Sequence, residues 1–204
     1  MVRFTSKADT LQQLRPLLTT AKVLPLVSFS VTTLSDWTGI LSKLKQEGLL
    51  TQRLIVRSSA QNEDTARSSN AGKFLSIGDV CGEEELLEAV HKVAAAMGEE
   101  NGENQIFIQP YLQDVEMCGV AFTADPNTGG NYYILNYDKT TGSTSSVTDG
   151  TGVHLETFYH FKRSPLPPPP PLDRVIALCQ ELETLFQCSA LDLEFAIVED
   201  VLYL

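Results

Sequence analysis

The stretch LIVRSSAQNEDTARSSNAGKFLSI, residues 54–77, decides how this chain is read. Its apolar start, Leu54-Ile55-Val56, predicts a buried strand that ends directly in Arg57, Ser58 and Ser59. A loop rich in Ser, Asn, Asp and Gly follows, holding Asp64, Arg67 and Ser69, with Gly72-Lys73 near its end. Phe74, Leu75 and Ile77 then resume an apolar pattern. A cation fixed at a strand end, beside small hydroxyl residues and backbone N–H donors, is what a polyphosphate requires. The same spacing equally suits an ordinary strand–loop–strand with an exposed arginine, so the rest of the chain must decide.

At 204 residues the chain is long enough for one sizeable domain or for two lobes sharing a cleft. Hydrophobic residues make up 43% and charged residues 20%, the mix of a globular protein rather than a disordered one. A net charge of −11 and a pI near 4.6 argue against non-specific binding to nucleic acid or to anionic membranes. An acidic protein that binds a nucleotide must gather its cations locally, with Mg²⁺ helping. No apolar run approaches a membrane span, and MVRFTSKADT has no apolar signal core, so a cytoplasmic location is expected. Cys81, Cys118, Cys179 and Cys188 lack CxxC spacing and read as reduced thiols. His91, His154 and His160 are scattered: His91 reads as a surface or half-buried helix residue, and packing suits His154 and His160 better than catalysis.

Working outward, residues 5–18 predict a helix with Ser6 as N-cap and Leu11, Leu14 and Leu18 on one face. VLPLVSFSVT predicts an edge strand. Trp37, Ile40, Leu41 and Leu44 outline a second helix closed by Gly48. Residues 82–97 predict a third, with acidic residues at its dipole-positive end. QIFIQPYL predicts a strand running into Pro110. EMCGVAFTADPNTGGNYYILNYD predicts two strands joined by the turn DPNTGG. A Ser/Thr/Gly loop (139–152), the strand VHLETFYHF and a polyproline connector follow. A last helix then precedes the hairpin LDLEFAIVEDVLYL, turning at Glu199-Asp200. The order predicts an α+β architecture: a small N-terminal helix/strand lobe, about 1–100, then a mostly antiparallel sheet flanked by helices, about 101–204.

Three further features bear on chemistry. Lys7 starts a helix, where a lysine and free N–H groups could share an anion; a solvated lysine gives the same pattern. Gln109, Pro110, Tyr111 and Leu112 end a strand at an apolar linker that could offer backbone groups to a purine edge; a plain β-meander would look alike. In LDLEF, alternation puts Asp192 and Glu194 on one strand face and Leu191, Leu193 and Phe195 on the other. Two such carboxylates repel unless a cation lies between them, which suggests Mg²⁺ held together with phosphate oxygens. A solvent-facing acidic strand is the alternative.

Taken together, these segments resemble the nucleotide-binding domain of the phosphoenolpyruvate synthase and pyruvate phosphate dikinase family, which has an ATP-grasp fold. SKADTLQQL resembles the opening Gly-Lys helix segment, and VLPLVSFSVT the VPVPxGFVVT strand. IVRSSAQNEDTARSSNAGKFLSI is similar to VRSSAxxEDxxxxSxAGxxxTxLxV, GVAFTADPNTG to GVxFTxDPxTG, and ALDLEFAIVEDVLYL to QDIEWAxxxxxLxxLQ. The resemblance covers essentially the whole chain, in family order.

The resemblance implies ATP and Mg²⁺ as ligands. Lys7 and Arg57, with Ser58, would hold the phosphates and act in catalysis. The loop through Asp64, Arg67, Ser69 and Gly72 would close over them. Gln109, Pro110, Tyr111 and Leu112 would form the adenine hinge. Glu194 with Asp192 would bind the metal. ATP would give its β-phosphoryl group to a histidine on a separate swivelling domain, the partner of this module, with AMP and phosphate released overall. The compact SKADTL…VRSSAQNED arrangement is similar to relatives encoded among capsule-polysaccharide genes, which implies an amide or sugar acceptor ahead of pyruvate. Three departures stand out: Ser6-Lys7 replaces the GGK of many members, the Gln-x-Arg is missing, and no phosphohistidine segment is present. The expectation is therefore a truncated fragment supplying one half-reaction. The competing readings are a non-catalytic ATP-sensing module and an interaction domain presenting the prolines of residues 165–171.

Overall fold

The computed structural model describes residues 2–59, 75–98, 104–140 and 155–204. Two antiparallel sheets organise them, one in each of two units. One unit comprises Phe4–Leu14 and Leu24–Tyr111; the other comprises Met1–Arg3, Arg15–Val23 and Leu112–Leu204.

In the first unit the strands β1 (Val27–Ser30), β2 (Leu54–Ser59), β3 (Ser76–Val80) and β4 (Gln105–Pro110) run in the order β1-β4-β2-β3. The predicted edge strand is indeed at an edge. Helices α2 (Trp37–Gln46) and α3 (Glu83–Ala96) bury their apolar stripes on one sheet face. Ile40 and Leu44 of α2 and Leu86, Val90 and Val93 of α3 meet Leu54, Val56, Ile106 and Ile108 there. Such residues contribute about 1.5–3 kcal/mol each on full burial. Asp36 caps α2 by accepting the Gly39 N–H at 3.1 Å, and Gly48 leaves it at φ 70°. Helix α1 (Lys7–Leu14) is shorter than the leucine spacing predicts. Ser6 caps it as expected, but Pro16 disfavours helical backbone at Arg15, so Leu18 lies beyond the helix.

In the second unit β5 (Met117–Phe122), β6 (Tyr132–Asp138), β7 (Glu156–Phe161), β8 (Asp192–Val198) and β9 (Val201–Tyr203) run in the order β7-β6-β5-β8-β9. Helix α4 (Leu172–Phe186) covers the face bearing Tyr133, whose hydroxyl donates to Glu183 at 2.8 Å. Glu183 also pairs with Lys162, whose ammonium lies over the Tyr133 ring. Burial, then the Glu183 contact, pushes the Tyr133 hydroxyl well above its ordinary value. The β8–β9 hairpin turns at Glu199 and Asp200, both left-handed at φ 48° and 60°, the geometry a two-residue turn of this hand demands. The α+β architecture with antiparallel sheet and flanking helices is as the sequence predicts, and the first lobe carries a full sheet of its own. All four cysteines are free thiols. Among the described residues no helix is long and apolar enough to cross a membrane.

Candidate functional site

Arg57 sits in β2, opposite Phe107 of β4 and Ser76 of β3. Alternation turns Leu54 and Val56 into the core beneath α2 and α3, so Ile55, Arg57 and Ser59 take the other face. Gln105, Phe107 and Gln109 of β4 share it, as does Ser28 of β1. This second face is therefore mostly polar. Ile55 and Phe107 are its apolar members; Phe107 is buried beneath Ala8, Leu11 and Leu26, and the Arg57 guanidinium lies 5.8 Å from its ring centroid. The aromatic face attracts the cation and steadies it.

Helix α1 crosses this face, held at its N-terminus by hydroxyls. Ser59 Oγ accepts the Ala8 N–H at 3.1 Å, and Ser6 Oγ accepts the Asp9 N–H at 3.2 Å. Ser6 in turn donates to Gln105 Oε1 at 2.9 Å, and Gln105 Nε2 donates to Asp9 at 3.4 Å. Ser6, Ser58 and Ser59 are all buried. This corrects one expectation: the Ala8 and Asp9 N–H groups are not free for an anion, because serines already satisfy them. What the arrangement does is bring Lys7, the first residue of α1, beside the strand end that carries Arg57. The helix start and the Arg57 strand, distant in sequence, are thus tied together.

At the far end of β4, Gln109 pairs with Ile55 and buried Pro110 with Leu54. The ladder ends there, and Tyr111 donates its N–H to Arg53 O at 2.8 Å. The Tyr111 ring rests on Gly78, where a Cβ would come within 2.6 Å of it. Sequence reasoning missed this role of Gly78; a glycine inside a strand pattern was the available signal. The division between the units falls just after Tyr111, and Leu112 packs with Val115, Cys118 and Ala196 of the second unit.

In that unit β8 pairs with β5, Asp192 opposite Phe122 and Glu194 opposite Val120. Asp192 is exposed and Glu194 half-buried, while Leu193 and Phe195 are buried on the α4 side. The predicted facing of LDLEF is as observed. Across the same row Val120 pairs with Asn136, which accepts the Thr157 hydroxyl at 2.8 Å. Gly119 of the GVAFT segment is required by close approach, since a Cβ would lie 2.4 Å from the Asn136 carbonyl oxygen. In the following turn Asp125 accepts the Thr128 hydroxyl at 2.6 Å and the Asn127 N–H at 2.9 Å, which hold its carboxyl below the usual range. Among the described residues no three His, Cys, Asp or Glu side chains gather as a metal cluster. A pair of hard oxygen donors on one strand face nevertheless suits Mg²⁺, which takes one or two carboxylates and completes its shell with water and phosphate.

Asp64, Arg67, Ser69, Gly72 and Lys73 lie outside the described residues, as does His154. Exposed His91 lies on α3, and His160, paired with Tyr133, stacks on Phe158 with 6.2 Å between ring centroids.

Comparison with known proteins completes the picture. In solved structures the likeness reaches D-alanine-D-alanine ligase of Helicobacter pylori, 13% identical with a TM-score of 0.52, covering 98% of this chain and 52% of that one. It also reaches ATP citrate lyase of Methanothrix soehngenii, 15% identical with a TM-score of 0.52, covering 97% and 48%. The chain therefore spans about half the length of these proteins. At such identities the likeness establishes the fold, which is ATP-grasp. No curated protein matches the chain in sequence. The family described as "Pyruvate phosphate dikinase, AMP/ATP-binding domain" matches residues 27–165, about two thirds of the whole. That span runs from β1 through the Arg57 strand, the Pro110 linker and the GVAFTADPNTGG turn, and by it the chain belongs to the pyruvate phosphate dikinase AMP/ATP-binding domain family.

Proposed function

We propose that this chain binds Mg²⁺-ATP and serves as the donor module of a phosphotransferase. Lys7 and Arg57 hold phosphate oxygens, and Gln109 to Leu112 take the adenine edge through backbone groups. Ser58, expected to join the phosphate set, instead alternates to the buried Leu54 and Val56 face and gives its N–H to Leu75 O. Asp64, Arg67, Ser69 and Gly72 close over the phosphates. In the second unit Asp192 and Glu194 hold the metal. The observation that supports this reading is the fastening of the start of α1 to the end of the strand that bears Arg57, through the Ala8 N–H on Ser59 Oγ.

The metal, when bound, neutralises charge on the phosphates; the protein's part is positioning and fixed charge. Lys7 and Arg57 draw the polyphosphate chain straight and stabilise charge on the transferring group. The Phe107 ring, 5.8 Å from the guanidinium, favours its position by a cation–π attraction. The β-phosphoryl group then passes to a histidine on a separate swivelling domain and on to an acceptor, with AMP and phosphate released. Family membership supports the ATP step. The histidine relay, an amide or sugar acceptor in capsule-polysaccharide synthesis and a cytoplasmic setting rest on the sequence resemblance.

Calorimetry with ATP and Mg²⁺ tests the donor role. Arg57→Ala should weaken binding about tenfold or more, and Arg57→Lys should recover only part, because a point charge cannot form the guanidinium fork. Undiminished binding by Arg57→Ala would overturn the placement of the phosphates.

A further inference from the structure

We propose that Thr123 is a positioning residue for the carboxylate strand, a role that rests on the reading of Asp192 and Glu194 as the metal-facing pair. Thr123 is completely buried and follows β5 directly. Its N–H donates to Leu191 O at 2.8 Å. In an antiparallel pair of this type Leu191 would return its own N–H to the Thr123 carbonyl. Instead the Leu191 N–H donates to Thr123 Oγ1 at 2.7 Å. The hydroxyl thus replaces a main-chain acceptor where the chain leaves the ladder for the Asp125 turn.

Leu191 immediately precedes Asp192, so this bond fixes where β8 begins and in which register. Register decides facing, because a one-residue slip would turn Asp192 and Glu194 toward α4 and bring Leu193 out. Any residue but proline could make the first bond; the second needs a side-chain acceptor, which the short Thr123 hydroxyl supplies within a buried site. Thr123 touches no ligand in this scheme and acts through Asp192 and Glu194.

The test uses the full chain and two measurements that do not depend on turnover: amide exchange at Leu191 and Asp192, and Mg²⁺ titration in the presence of ATP. Thr123→Val keeps the shape and removes the acceptor. It should speed exchange at Leu191 and lower the apparent Mg²⁺ affinity about tenfold, while ATP binding in EDTA stays at the wild-type level. Thr123→Ser should behave as wild type in all three. Where valine prevents folding, Thr123→Ala read against Thr123→Ser makes the same comparison. The proposal is overturned if Thr123→Val leaves Mg²⁺ affinity unchanged while Glu194→Gln lowers it, or if Thr123→Ser loses as much as Thr123→Val. An equal loss of ATP binding in EDTA would also overturn it, since that marks a general structural defect. If Glu194→Gln itself leaves Mg²⁺ affinity unchanged, the carboxylate reading fails first and Thr123 has nothing to position.

Discussion

The Ala8 N–H donates to Ser59 Oγ at 3.1 Å, so the start of α1 and the end of β2 are one fastening although 51 residues separate them. Ser59→Ala removes a buried acceptor and leaves a helix-terminal donor unsatisfied. The expected cost is about 1–3 kcal/mol of stability, read by urea denaturation. ATP affinity should fall as well, because Lys7 moves with the helix end; calorimetry on the folded variant checks this. A variant with wild-type ATP affinity would detach Lys7 from the phosphates.

Gly78 and Tyr111 offer a second test. A methyl group at 78 would meet the Tyr111 ring at 2.6 and 3.0 Å, so the ring must shift. Overpacking of this kind costs about 1–3 kcal/mol. If the Pro110–Tyr111 segment contacts adenine, Gly78→Ala should weaken ATP, ADP and AMP by a common factor. Competition binding with the three nucleotides measures it, and a loss confined to ATP would point to the phosphates instead.

Glu181 gives a pH dependence. Burial pushes its carboxyl up, but the hydroxyl and N–H bonds from Thr20 and then Thr19 outweigh that and hold it below its ordinary value of 4.5. Thr19 gives its N–H and hydroxyl to Oε1 at 2.9 and 2.8 Å, and Thr20 gives the same pair to Oε2 at 2.9 and 2.5 Å. A folded-state value below the unfolded one means stability that is complete above the unfolded value and lost as pH falls through the folded one. Glu181→Gln turns one acceptor into a donor facing donors. It should cost about 1–3 kcal/mol at pH 7, and the gap to wild type should narrow as pH falls below 4.5 through the lowered folded-state value. Paired urea curves at the two pH values read the difference directly.

Thiol reactivity should follow burial. Burial, with Glu183 next, pushes the Cys179 thiol up to about 12, and Cys118 is buried as well, whereas Cys81 is exposed and Cys188 intermediate. Iodoacetamide near pH 8 should label Cys81 first and Cys188 after it. Cys118 and Cys179 should label only in denaturant, since the thiolate is the reacting form; peptide mass spectrometry gives the order.

What the sequence disclosed was local. Ser6 as a cap, Pro110 as a strand end, the DPNTGG turn and the facing of LDLEF each follow from a few consecutive residues and a fixed period. The bonds that assemble the candidate site join distant segments: Ser59 to Ala8, Gln105 to Ser6 and Asp9, and Thr123 to Leu191. A hydroxyl spent on a remote backbone donor looks, in sequence, like any other serine or threonine. The same holds for α1, where leucine spacing suggested a longer helix than Pro16 permits. Leu75, expected to rejoin the core, is exposed, and Val80 closes that strand instead.

The strand orders β1-β4-β2-β3 and β7-β6-β5-β8-β9 share a property: in each sheet a strand made late by the ribosome lies inside it, not at its rim. β4 must insert between β1 and β2, whereas β8 joins the free edge of β5 and is covered by β9 directly after it. Until residue 110 has emerged, β1 and β2 have no common neighbour, and the Arg57 strand lacks its Phe107 partner. Until about residue 198 has emerged, Asp192 and Glu194 have no sheet to stand on. The proposed nucleotide site therefore needs nearly the whole chain before its parts can meet, and the long-range pairing of β4 and β8 is expected to slow assembly.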